Sequence, residues 1–232
     1  MARKKIVLVI VEGASDDTAL GIALSQVFDK NSVYIHIMHG DITTRRGVTT
    51  QNIVSKIDAE VKQYARSNHF KASDFKQIIH IVDTDAAYIP DDNVVEDSGL
   101  KKIQYEDDGI HTSKVDGIIK RNEIKRCNLS RLRNRSDIWS IPYRIYYMSC
   151  NLDHVLYDKR NSTEDEKEND AYQFARKYKG DRDGFVKFIC GSLFSVNGDY
   201  EKSWTHIECG LNSIKRYSNL CICIQEALQA IS

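Results

Sequence analysis

The run HIVDTDAAYI (residues 80–89) ends a short apolar stretch in two aspartates, Asp83 and Asp85, with one residue between them. A run of that kind reads as a buried strand, so the two carboxylates would leave its end close together. Like charges at such range repel and raise one another's pKa unless a cation sits between them. The run KIVLVIV (5–11) ends in the same way at Glu12, with Asp16 and Asp17 following, and Asp153 comes just after YRIYYMS (143–149). Acids in this arrangement point to a hard divalent cation. Mg²⁺ or Mn²⁺ prefers oxygen ligands and is commonly held by one or two carboxylates together with substrate phosphates.

Those acids meet only if the elements carrying them share an edge. Residues 5–11 are β-branched and continuously apolar, the pattern of a strand covered on both faces. Ser15 or Asp16 can cap the helix that follows, whose positions Ala19, Leu20, Ala23, Leu24 and Val27 recur at helical spacing. VYIHIM (33–38) is a second strand, 50–66 a second helix and QIIHIVD (77–83) a third strand. This alternation predicts an α/β fold with a parallel sheet, and ligands in such sheets bind beyond the C-terminal strand ends. After Asp85 the pattern weakens: 86–112 is polar and acidic with a strand-like piece at 101–105, 113–127 reads as helix, and LSRLRNRSD (129–137) as loop or frayed helix. YRIYYMS is the fourth core strand, and helices follow over 151–158, 164–178, 182–190 and 204–230. The expected organisation is a core over 1–158 with a basic insertion at about 90–140. A helical C-terminal extension over 159–232 packs on that core. The apolar stripe of NLCICIQEALQAI (219–231) packs on this chain or on a second copy, which makes a homodimer one expected state.

The 232 residues carry 33 basic and 33 acidic side chains, so no global field points to nucleic acid or membrane. Locally the balance breaks. Residues 83–108 hold nine acids and two bases, 113–135 eight bases and two acids, and 153–170 seven acids and three bases. The basic group, Lys114, Lys120, Arg121, Lys125, Arg126, Arg131, Arg133 and Arg135, would offset an acidic pocket and hold a nucleic-acid backbone. Six cysteines show no CxxC pair or zinc-finger spacing, which reads as reduced thiols in a cytoplasmic protein. No stretch is long and apolar enough to span a bilayer. His36, His80 and His154 read as core or crevice-edge residues, and His39 and His111 as edge residues.

VEGASD (11–16) and HIVDTDA (80–86) together resemble the Toprim domain of primases, type IA and II topoisomerases and OLD-family nucleases. That family pairs a Glu-Gly after the first strand with an Asp-x-Asp after the third. The resemblance covers roughly 1–90 and 141–158. YMSCNLDHVL (147–156) and, more loosely, YEDDGIHTS (105–113) resemble small stand-alone Toprim proteins of bacterial phage-defence systems. Ala87 stands where topoisomerases carry a third aspartate, which speaks against a topoisomerase. What the resemblance implies is a Toprim-like (Rossmann-like) sheet and a Mg²⁺- or Mn²⁺-dependent nuclease acting on DNA or RNA, tRNA included. It also implies an antiviral, abortive-infection effector beside an ABC-type ATPase partner. Glu12 would be metal ligand or general acid/base, and Asp83 and Asp85 metal ligands. Asp16 matches a further acidic ligand of OLD-type nucleases, Asp153 takes the late acidic role, and Gly13 would permit the turn out of the first strand. In a two-metal arrangement Glu12, Asp83 and Asp85 would hold one ion and Asp16 with Asp153 the other, about 3.5–4 Å apart. Two alternatives stand beside the nuclease: a nucleotide-handling transferase using the Asp-x-Asp pair, and a non-catalytic Toprim regulatory subunit.

Overall fold

The computed structural model describes residues 4–28, 33–39, 42–43, 45 and 47–230, with the side chains of 33–36 and 39, including those of His36 and His39, outside the described set. Strand β1 (Lys5–Val11) is buried along nearly its whole length, as a strand covered on both faces must be. It pairs in parallel with β2 (Val33–His39) on one side and with β3 (Phe75–Asp83) on the other. β3 pairs in parallel with β8 (Ile141–Met148), and the two-residue strand β7 (Asp137–Ile138) closes that edge antiparallel. The sheet order is β2-β1-β3-β8-β7, so the fold is α/β with a parallel-dominated mixed sheet flanked by helices, Rossmann-like in plan.

The chain steps outward from β1 to β2, then returns across β1 to β3. That reversal opens a crevice beyond the ends of β1 and β3, where open α/β sheets place their ligands. Helix α1 (Ala14–Val27) leaves β1 directly, and α2 (Ile53–Ser67) joins β2 to β3. α1 packs against α5 (Glu164–Tyr178), α6 (Arg182–Gly191) and α8 (Leu220–Gln229), whereas α2 packs against α3 (Val115–Arg133). The segments beyond residue 158 thus enter the main core: Phe174, Phe185 and Trp204 are buried in the same cluster as Val7, Leu8 and Ile10.

Several boundaries differ from the sequence expectation. The segment read as loop or frayed helix is the end of α3, which runs to Arg133 because the fully buried Leu129 and Leu132 anchor its last turns. The polar stretch 86–112 holds a three-stranded sheet, β4 (Val94–Glu96), β6 (Ile110–Thr112) and β5 (Gln104–Tyr105), over a small core of its own built on Ile89, Val94, Ile110, Ile118 and Ile214. The helix expected over 204–230 is two helices, α7 (Tyr200–Ile207) and α8. Gly210 adopts φ +54° between them, and the connecting loop props the sheet edge: Thr84 Oγ1 donates to Ser213 O at 3.1 Å and Cys150 N to the same carbonyl at 2.9 Å. Cys190 and Cys221 are joined as a disulfide with Cα atoms 4.9 Å apart, which corrects the expectation of six reduced thiols. Among the described residues no helix is long and apolar enough to cross a membrane.

Candidate active site

β1 delivers Glu12 and β3 delivers Asp83 to the crevice, and the two are in contact: Asp83 N donates to Glu12 Oε1 at 3.1 Å. The same oxygen accepts from Thr43 Oγ1 at 3.4 Å and Lys125 Nζ at 3.5 Å, so this carboxylate is fixed in orientation. Asp16, in the first turn of α1, accepts from Gly13 N at 2.9 Å and so caps the helix start with a charge the helix dipole favours. Gly13 itself is extended (φ −140°) and a Cβ there would have 3.9 Å of clearance, so the turn out of β1 does not require glycine. Asp153 lies in the first turn of the short helix α4 (Leu152–Tyr157), which Asn151 caps through a 2.8 Å bond from His154 N.

These four acids line one cavity of about 310 Å³, together with Asn151 and, from α5, Glu164, Lys167 and Glu168. Their electrostatics agree. Burial, then the charges of Glu12, Asp16 and Asp85, hold Asp83 well above the usual carboxylate range. Burial also raises Asp16, and burial with the Asp16 charge pushes Asp153 up to about 6. Lys167 from α5 works against the rise at Asp16 and Asp153 but does not cancel it. A larger hollow of about 1010 Å³ lies along α1 and α5, but its polar lining (Asp17, Tyr64, Arg176, Lys179) gathers no group of acids.

Asp85 stands apart. It does not line the acidic cavity. Its carboxylate pairs with Lys125 Nζ, and Arg121 Nη2 donates to its carbonyl at 2.8 Å. Burial opposes its ionisation, but Lys125 and Arg121 outweigh that and hold the carboxyl below its usual range. Burial works against the charge on Lys125; Asp85 and Glu12 outweigh it and hold the ammonium above its usual pKa.

The basic group of α3 is thereby corrected in part. Lys125 is 0% exposed and bound to two acids, so it cannot be a surface contact to a nucleic-acid backbone. Arg121 faces Asp85 and Tyr105, Arg126 the Ala87 carbonyl and Asp91, Arg133 Glu201 and Glu208, and Arg135 Asp137. Lys114, Lys120 and Arg131 remain exposed, with no ion pair among the described residues. His80 is buried, its Nδ1 2.7 Å from Tyr143 Oη; His154 is pushed down to about 4 by burial and Arg160, leaving a neutral ring at pH 7.

Sequence reasoning missed the roles of Lys125 and Lys167, although helical spacing marks both. Lys125 continues the buried stripe Ile118, Asn122, Leu129 and Leu132, and Lys167 precedes the stripe Ala171, Phe174 and Tyr178 at the same interval. Among the described residues no three His, Cys, Asp or Glu side chains form a ready-made ion-binding cluster; the cavity acids surround a space rather than touch around a point. No family model, curated protein or solved structure matches the chain.

Proposed function

We propose that the chain is a metal-dependent nuclease of the Toprim type, hydrolysing phosphodiesters of DNA or RNA at the cavity between β1, β3 and α4. One observation supports this above the rest: acids from three separate junctions line a single cavity and share an excess of negative charge. Asp83 and Asp153 are raised by burial and, after it, by neighbouring carboxylates; that like charge is what a hard cation would relieve, and the donor set is oxygen throughout. Mg²⁺ or Mn²⁺ fits that chemistry, with Asp83, Glu12, Asp16 and Asp153 as the residues that would hold it. When bound, such an ion supplies Lewis-acid polarisation of a phosphoryl oxygen and activation of water.

The chain's own groups would do the rest. Glu12, fixed by its donors, orients the polar edge of the cavity. Asp153, pushed up to about 6 in the metal-free chain, would give up its proton when it takes an ion. Lys167, paired with Glu164 at 3.2 Å, is the cation at the cavity that a phosphate would meet, and Lys114, Lys120 and Arg131 are the basic residues left for a nucleic-acid backbone. The pairing of Asp85 with Lys125 leaves Asp83 as the half of the Asp-x-Asp pair that faces the cavity, for this reading as for a nucleotide-handling transferase. The defence role, the ATPase partner and the cytoplasmic setting belong to the resemblance to small Toprim effectors.

The test is cleavage of labelled DNA, RNA and tRNA by the purified chain with Mn²⁺, alone and with an ATPase encoded beside it. The expected result is cleavage that falls by about 10²–10³-fold in Glu12→Gln and Asp83→Asn while the far-UV spectrum is unchanged. Cleavage of none of these substrates overturns the reading.

A further inference from the structure

We infer that Lys125 stands in the place of a second metal ion: the site takes one divalent cation, on the Asp83 side, and its other positive charge is a built-in ammonium between Glu12 and Asp85. The inference rests on the metal-dependent reading above and departs from a site in which both aspartates of the Asp-x-Asp pair hold metal.

The backbone separates the two aspartates first. Asp83 ends a regular strand, but Asp85 and Ala86 both adopt left-handed conformations, with φ of +49° and +54°. Consecutive non-glycine residues rarely do so, and the turn persists because it is tied on several sides. Asp85 N donates to Cys150 O at 2.8 Å, Ala87 N to Thr84 O at 2.9 Å, and Arg121 to the Asp85 carbonyl at 2.8 Å. Asp83 lines the cavity; Asp85 is turned out of it, onto α3.

The ammonium is equally fixed. Lys125 lies on the buried stripe of α3, and one turn later Asn128 anchors the helix by donating to Thr43 O at 2.9 Å and accepting from Thr50 Oγ1 at 3.2 Å. From there Nζ reaches Asp85 Oδ2 and, at 3.5 Å, Glu12 Oε1. A second ion would need those same two carboxylates, and it would lie only about 3.5–4 Å from the first. To take them it must displace an ammonium that is 0% exposed and tethered by α3, and stranding such a buried charge away from its carboxylates is costly. Lys125 therefore acts through Glu12 as a positioning residue, present whether or not metal or substrate is bound.

Counting Mn²⁺ by calorimetry and by the EPR signal of free ion tests this directly. The wild-type chain should bind one Mn²⁺; Asp85→Asn should bind one with affinity within about threefold, and Asp83→Asn should lose at least about 30-fold. A folded Lys125→Met chain, with the ammonium gone from between Glu12 and Asp85, should bind two. If that variant does not fold, Lys125→Met/Asp85→Asn, which removes the closer of the two carboxylates together with the ammonium, should bind one. Two ions on the wild-type chain, loss of binding in Asp85→Asn or in the double variant, or a single ion on folded Lys125→Met overturns the inference and leaves the nuclease reading standing. No Mn²⁺ on the wild-type chain overturns both.

Discussion

Asp83 and Asp85 have the same side chain and one residue between them, yet their surroundings are opposite. Asp83 faces a cavity shared with Asp16 and Asp153, where burial and like charge make ionisation costly. Asp85 faces α3, where Lys125 and Arg121 make ionisation favourable. A charge already neutralised by its own chain holds structure together. One left uncompensated is available for an ion or substrate, and such groups are where function is to be sought. Substitution at the two halves of this motif should therefore act with opposite sign on the stability of the metal-free chain.

The largest effect should come from cutting the compensated side. Lys125→Met leaves Glu12 and Asp85 without their cation, and chemical denaturation should show a loss of about 3–5 kcal/mol. Asp85→Asn should cost less, roughly 2–3 kcal/mol, because Lys125 keeps Glu12 as a partner. In the double variant the two losses should fall well short of additive, and additivity in a double-mutant cycle would break the pairing.

The uncompensated side supplies a pH signature. Asp153 has its folded pKa raised to about 6 from 3.8, so the native state holds this proton more tightly than the unfolded chain. Its stabilising influence is complete below the unfolded value and is lost as pH rises through about 6. In metal-free buffer Asp153→Asn should thus gain on the wild type at pH 8, by about 2 kcal/mol once solvent screening at the cavity mouth is discounted from the full shift, and by nothing below pH 4. A constant difference across that range would mean that desolvation of the carboxylate is not the cause. The smallest effect belongs to the α3 arginines that face surface acids: Arg133→Ala should cost only about 0.5–1 kcal/mol in thermal or denaturant melts.

Much of this was legible in the chain. KIVLVIV and YRIYYMS announce core strands because continuous β-branched and aromatic runs suit a sheet buried on both faces. The convergence of Glu12 and Asp83 followed from that alternation alone. What could not be read was direction. DTD looks symmetric in sequence, and only the left-handed turn at Asp85 and Ala86, held by Cys150 and Arg121 from distant segments, points one carboxylate away. Lys125 was hidden by composition: among eight bases it resembles a surface charge, while its phase on α3 places it with Leu129 and Leu132. The break at Gly210 escaped because the apolar periodicity on either side continues across it, and the loop is set by contacts to Thr84 and Cys150 rather than by local preference.

The central claim, that the Asp83 side is a cavity in want of a cation, is tested most directly by paired thermal melts of the wild-type chain and Asp83→Asn at pH 7.5, with chelator and with Mn²⁺. In chelator Asp83→Asn should melt higher, since it removes a carboxylate held well above its usual pKa. With Mn²⁺ the wild type should rise with ion concentration and overtake the variant, which should barely move. A variant that melts lower in chelator, together with a wild type indifferent to Mn²⁺, would contradict it.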